Sequence, residues 1–305
     1  MKLHMKNNAK AVVSFFAFLM LQCCAPGGGS SPPSLEDGAV GRRCVLKLGD
    51  GSSIAMRFIP KGNFKMGSPD RLRWPSETAH TVQLTQDYWM AETELTQSQW
   101  QTLMGTTAKE MIATHKVPEK RQLGFVPGAN YPMCFITHDD ALRFVAELNR
   151  KVPIQDGWRW ALPTEAQWER ACRAGTSTNY SFGDFGGADR YNCFDWNPWG
   201  NESKAVAITK TRMCKVSRFP ANDYGLHDMH GNVYEICFDF YGPYPTGEAV
   251  DPEGPAGGKT RVIRGGSFTM TSNWCDSSHR GQIPAGHCDS FTGLRVAIVN
   301  EKQKK

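Results

Sequence analysis

No two of the ten cysteines stand in a CxxC spacing, so neither a zinc ribbon nor a thioredoxin-like redox pair is encoded locally. A basic stripe interleaved with aromatics is also missing. The formal charge of +5 is diluted among acids, and Lys2, Lys6, Lys10, Lys302, Lys304 and Lys305 at the two ends account for much of the excess. That distribution excludes nucleic acid as a partner. No internal repeat recurs, which removes solenoids and propellers. The glycine run Gly27-Gly28-Gly29-Ser30 has no strand before it and no lysine after it, so it is a tether and not a phosphate loop.

What is present begins with a basic stretch and the apolar run Ala11 to Leu21, too short to span a bilayer comfortably. The run stops at Gln22-Cys23-Cys24, followed by a Gly/Ser/Pro segment, and so resembles a bacterial lipoprotein signal. Residues 1–24 are then the signal, Cys24 (or Cys23) the lipidated residue, and residues 25–41 a flexible tether. A single domain fills 42–305. The expected location is the bacterial envelope, on the outer surface, held to the membrane through the N-terminal lipid. Of the eight remaining cysteines an oxidising compartment could pair some, but spacing does not give the connectivity, and buried free thiols are the alternative.

Thirty glycines, eighteen prolines and nine tryptophans point to a loop-rich fold and away from a helix bundle. Cys44–Leu48 and Ala55–Pro60 read as strands around the turn Gly49-Asp50-Gly51. Thr96 with Gln99 opens a helix that Gly105 ends. Residues 106–132 read as an irregular surface excursion. Thr137 caps a second helix with Ala141, Phe144, Val145 and Leu148 on its buried face, and Thr164 caps a third that Gly175 stops. After that come turns and short strands, with no long helix.

Five stretches in order carry a resemblance: Phe64-Lys65-Met66-Gly67-Ser68, Glu92 to Trp100, Leu162 to Thr176, Asn222 to Glu235, and Arg264-Gly265-Gly266-Ser267. Together they resemble the formylglycine-generating enzyme / sulfatase-modifying-factor domain, from about residue 50 to Ile298. The resemblance implies an α+β, C-type-lectin-like fold with two or three helices and short strands. Enzymes of that family oxidise a substrate cysteine with two neighbouring thiolates holding copper, a pairing that suits Cu(I). Here Cys275 has no near neighbour in sequence, and the next cysteine is Cys288. The oxidase is therefore the alternative reading.

The narrower resemblance is to the variable region of diversity-generating-retroelement proteins, carried by Arg264-Gly265-Gly266-Ser267-Phe268, Cys275, Arg280, Pro284 and Gly293-Leu294-Arg295-Val296-Ala297. It implies no catalysis and no required cofactor. Residues of about 264–298 become a diversified site for a protein or other macromolecular ligand. The ligand-binding positions are Thr269, Met270, Thr271, Asn273, Trp274, Asp276, His279, Gln282, Ile283, His287, Asp289, Ser290 and Phe291. Several depart from asparagine, as a mutated copy of an asparagine-rich template would. Asn232 and Glu235 match the family segment that holds a structural calcium, a hard ion suited to oxygen ligands. His227 and His230 stand in a spacing that could chelate, and His279 or His287 could serve Cys275 as a base. The family assigns the stretch around Asp228 to scaffold.

Overall fold

The computed structural model describes residues 39–68, 75–154, 157–184, 190–191 and 212–300. The signal, its Cys23 and Cys24, most of the tether and Cys193 lie outside them. The remaining seven cysteines are free thiols.

The chain starts with a hairpin, β1 (Arg43–Gly49) and β2 (Ser52–Ile59), then β3 (Gly62–Met66), β4 (His80–Leu84) and β5 (Tyr88–Ala91). Four helices follow or interleave: α1 (Gln97–Met104), α2 (Ala108–Thr114), α3 (His138–Lys151) and, after β6 (Trp158–Ala161), α4 (Glu165–Arg173). The C-terminal half holds β7 (Tyr234–Phe240), β8 (Ala249–Val250), β9 (Thr260–Arg264), β10 (Arg280–Pro284), β11 (Thr292–Leu294) and β12 (Ala297–Asn300).

The helices are specified at their starts. Thr96, Thr107, Thr137 and Thr164 are N-caps, and Gln99, Glu110, Asp140 and Gln167 reach back to close four capping boxes. Each box satisfies two backbone donors that the first turn leaves open. The second box corrects the reading of residues 106–132 as irregular, because Thr107-Ala108-Lys109-Glu110 already encodes the start of α2. Its helix is only two turns long, too short for a hydrophobic period to show.

Three sheets result, in the orders β1-β2-β5-β12-β6, β10-β9-β7-β11 and β3-β4-β8. The last strand, β12, lies between β5 and β6 and is antiparallel to both, so the C-terminus closes the sheet that the N-terminal hairpin opens. The core forms two clusters. One gathers Trp89, Trp100, Phe135, Phe144 and Trp160; the other gathers Trp168, Met90, Tyr88 and Leu226 around α4. The fold is α+β and loop-rich, and α4 with β7 forms the platform on which the C-terminal segment rests.

Candidate functional site

The stretch from Arg264 to Arg295 is aperiodic in sequence, yet β10 lies inside it and pairs with β9 in register from Arg280–Arg264 to Pro284–Thr260. What holds the segment is three buried arginines. Arg264 contacts both Glu165 and Glu169 of α4. Arg280 makes a two-pronged pair with Glu165 at 2.6 and 2.7 Å, and its remaining donors reach Ser76 O at 3.2 Å and Gly242 O at 2.9 Å. Arg295 bonds both oxygens of Glu235 on β7, at 2.7 to 3.0 Å. Burial by itself would raise the Glu169 acid, but Arg173 and Arg264 bring it below its ordinary range. A planar guanidinium that stays charged suits such dry two-pronged contacts.

Glycines set the path between these anchors. Gly266 has φ +74, and a Cβ there would lie 2.4 Å from the Cys275 sulfur and 2.6 Å from Trp274 O. Cys275 is thus packed, fully buried, beneath the glycine turn, with Sγ donating to Ser267 O at 3.9 Å. His230 braces the same turn from below. Its Nδ1 lies 2.8 Å from Cys275 O, and Nε2 accepts from Ser181 N at 3.1 Å, so the ring is neutral with its proton on Nδ1. Burial lowers its pKa to about 4, in agreement. His227 instead meets Phe219 O at 2.8 Å, so the two histidines do not converge on a common point.

The thirteen positions expected to meet a ligand divide in two. Asn273 and Gln282 are exposed, as is Trp274 at 40%. Thr269, Met270, Thr271, His287 and Phe291 are half-buried. These eight present side chains on one segment. The other five, Asp276, His279, Ile283, Asp289 and Ser290, are buried, which corrects the expectation that they face a ligand. Asp276 Oδ1 accepts from Ser278 N and His279 N at 2.9 and 2.7 Å, and so shapes its own turn. Glu77, from the loop before β4, receives the Arg280 amide at 2.9 Å and faces His279 Nδ1 at 3.1 Å. Burial and then Glu77 raise the Asp276 acid. Asp289 faces His287 Nε2 at 2.8 Å and accepts from Phe291 N at 3.1 Å. Ser290 bonds Leu123 O at 2.6 Å, and Ile283 joins the core. Glu77, Glu165 and Glu169 had no signal of their role in the C-terminal segment beyond lying in or near the family stretches, because their partners in that segment are 95 to 203 residues away in sequence, although Arg173, four residues on, also pairs with Glu169.

Asn232 and Glu235 do not fit a calcium ion. Asn232 Oδ1 accepts from Cys214 N at 2.8 Å, while its Nδ2 donates to Glu94 at 2.9 Å. Both Glu235 oxygens serve Arg295, and Oε2 also takes the Trp168 indole N–H at 2.6 Å. A cation would have to replace a guanidinium that neutralises the same carboxylate. Glu94 Oε2 has no protein partner, and burial followed by Asp228 pushes that acid well above its ordinary range. Among the described residues no group of three or more His, Cys, Asp or Glu side chains is arranged to hold a metal ion.

Against known proteins, a model described as the sulfatase-modifying factor enzyme 1-like domain matches residues 49–300. A formylglycine-generating enzyme of Streptomyces coelicolor is 29% identical over 183 residues, 58% of this chain and 54% of that protein. One from Thermomonospora curvata is 28% identical over 195 residues, 60% of each. The chain spans little more than half the length of these curated relatives. Among solved structures, variable protein 1 of Treponema denticola superposes with a TM-score of 0.67 at 24% identity, covering 84% of this chain and 98% of that one. PvdO from Pseudomonas aeruginosa gives 0.64 at 21%, covering 86% and 99%. At such identities these two likenesses concern the fold. The chain belongs to the family of the sulfatase-modifying factor enzyme 1-like domain.

Proposed function

We propose that this protein is a non-enzymatic binding protein of the bacterial envelope, anchored by an N-terminal lipid, whose C-terminal segment meets a protein or other macromolecular ligand. The supporting observation is the division within that segment. Arg264, Arg280, Arg295, Gly266 and the buried acids fix the backbone, while Thr269–Thr271, Asn273, Trp274, Gln282, His287 and Phe291 keep exposed or half-buried side chains. Such a scaffold tolerates replacement of the outer side chains, because none of them supplies the anchoring contacts. Trp274 and Phe291 supply aromatic area of the kind that dominates interface energetics.

The cysteine-oxidase reading requires two neighbouring thiolates, and Cys275 is fully buried beneath Gly266 with Cys288 as the next cysteine in the chain. The named enzymes among its relatives keep that reading testable. Sequencing independent isolates and sibling gene copies tests the binding role: variation should concentrate at the eight outer positions and spare Asp276, His279, Ile283, Asp289 and Ser290. A C-terminal segment no more variable than α3 and α4 overturns it. Oxygen uptake from a cysteine peptide with Cu(I), abolished in Cys275→Ser, would instead establish the oxidase.

A further inference from the structure

The loop between α2 and α3 adjoins the C-terminal segment, and the inference drawn from it rests on the binding role proposed above. Ser290 joins the two: its amide donates to Arg121 O at 2.9 Å and its hydroxyl to Leu123 O at 2.6 Å. The loop is pinned elsewhere as well. Gln122 Nε2 donates to Val117 O at 2.7 Å, Met213 N to Gly124 O at 3.1 Å, and Gln97 Nε2 to Val126 O at 2.9 Å. A backbone held at so many points has little freedom left to lose when a partner arrives.

On this braced loop Leu123 stands 65% exposed, the most open large apolar side chain among the described residues. Phe125 is half-buried in an edge contact with Phe135 at 4.9 Å, and Phe291, next to Ser290, is half-buried too. A surface leucine alone needs no explanation. One fixed near two half-open aromatics, on the flank of a candidate binding face, has the form of an interface anchor. The charge around it is nearly of one sign. Residues 115–126 and 212–219 carry Lys116, Lys120, Arg121, Arg212, Lys215 and Arg218 against the single acid Glu119. All of these bases are exposed except Arg121, which is half-buried. The acids of the adjoining segment, Asp276 and Asp289, are buried and do not offset them.

We propose that the ligand face continues onto this loop, and that its partner is a protein segment with several Asp or Glu residues around one large apolar side chain. The apolar side chain packs on Leu123, and the acids meet the basic rim, which also speeds the encounter. An anionic membrane shares the charge pattern. The bonds from Ser290, inside the candidate ligand face, favour the protein.

The test is an NMR titration of the full chain, nitrogen-15 labelled, with a short peptide of glutamates around a central tryptophan. A second peptide has serine in place of the tryptophan, and a third has lysines in place of the glutamates. The first should shift the amides of 119–125 saturably, the second should bind much more weakly, and the third should not saturate. Leu123→Ser should weaken the first peptide about five- to thirtyfold, as loss of a largely buried leucine contact implies. Lys120→Glu combined with Lys215→Glu should weaken it too, as should about 1 M salt, where screening acts within about 3 Å. The proposal is overturned if the first peptide does not saturate, if the serine peptide binds equally well, or if Leu123→Ser binds like the parent. It is also overturned if vesicles of phosphatidylcholine with phosphatidylglycerol shift these amides and the first peptide does not. Failure of the binding role itself reads differently: the C-terminal segment is then invariant across isolates, while the shifts at 119–125 remain.

Discussion

Arg280 and Glu165 meet through two parallel hydrogen bonds of 2.6 and 2.7 Å, with both side chains buried. They are separated by 115 residues in the chain, so the contact joins the strand inside the C-terminal segment to the first turn of α4. Removing Arg280 leaves Glu165 with the 3.2 Å contact to Arg264 Nε, and loss of one member of a buried pair costs up to about 3–5 kcal/mol. Arg280→Ala is therefore expected to lower the urea midpoint by that equivalent. Arg280→Lys should recover little, because an ammonium cannot span both Glu165 oxygens and the two carbonyls. If Arg280→Ala leaves the midpoint within error of the parent, the pair does not anchor the segment.

Asp239 supplies a pH dependence of definite sign. It accepts from Glu165 N at 2.8 Å, and burial followed by the Glu165 charge raises its pKa to about 8. An unfolded aspartate loses its proton near about 3.9. Between those values the folded state holds more protons than the unfolded one, so this group's contribution falls as pH rises from about 4 to about 8. Asp239→Asn carries no such titration. The stability of the parent minus that of the variant should decline across the window by more than about 1.4 kcal/mol, the worth of one pKa unit. Denaturation series at pH 5 and pH 8 check this, and a flat difference counts against a neutral Asp239.

Local chemistry made much of the frame legible in advance. The threonine caps at Thr96, Thr137 and Thr164 announced α1, α3 and α4, and glycines bounded the first hairpin. What sequence could not reveal was tertiary pairing. Nothing local to Asp276 or Asp289 distinguishes a turn-forming acid from a contact residue; burial and the Ser278, His279 and Phe291 amides do. Likewise β10 is hidden because Arg280-Gly281-Gln282-Ile283-Pro284 has little strand propensity of its own and is held by Arg264, Glu165 and Glu77. The competition for Glu235 was hidden for the same reason, since Arg295 approaches it from 60 residues away.

Two glycines in the C-terminal segment should respond unequally to alanine. Gly266 sits at φ +74 with Cys275 and the Trp274 carbonyl where a methyl would go. Positive φ alone costs a non-glycine residue of order 1–3 kcal/mol, and the contacts add to it. Gly286 has open space around its Cβ position. Gly266→Ala should lower Tm by several degrees, and Gly286→Ala should leave it nearly unchanged. Equal responses would mean that the turn beneath Gly266 is soft enough to move aside.

The division between frame and contact is measurable without knowing the ligand. Asn273 is exposed, whereas Asp289 is buried, holding His287 at 2.8 Å and the Phe291 amide at 3.1 Å. Asp289→Ala leaves an amide and an imidazole without their acceptor, a loss of about 1–3 kcal/mol. Asn273→Ala should fall within about 0.5 kcal/mol of the parent, as surface changes away from special features do. Both lie in the segment expected to vary, so the pair separates two accounts of it. If the whole segment is a malleable binding loop, the two variants should be equally stable. If buried acids set the backbone and outer side chains only decorate it, they should differ by the stated margin. Amide exchange at 287–292 should then accelerate in Asp289→Ala and remain at the parent rate in Asn273→Ala.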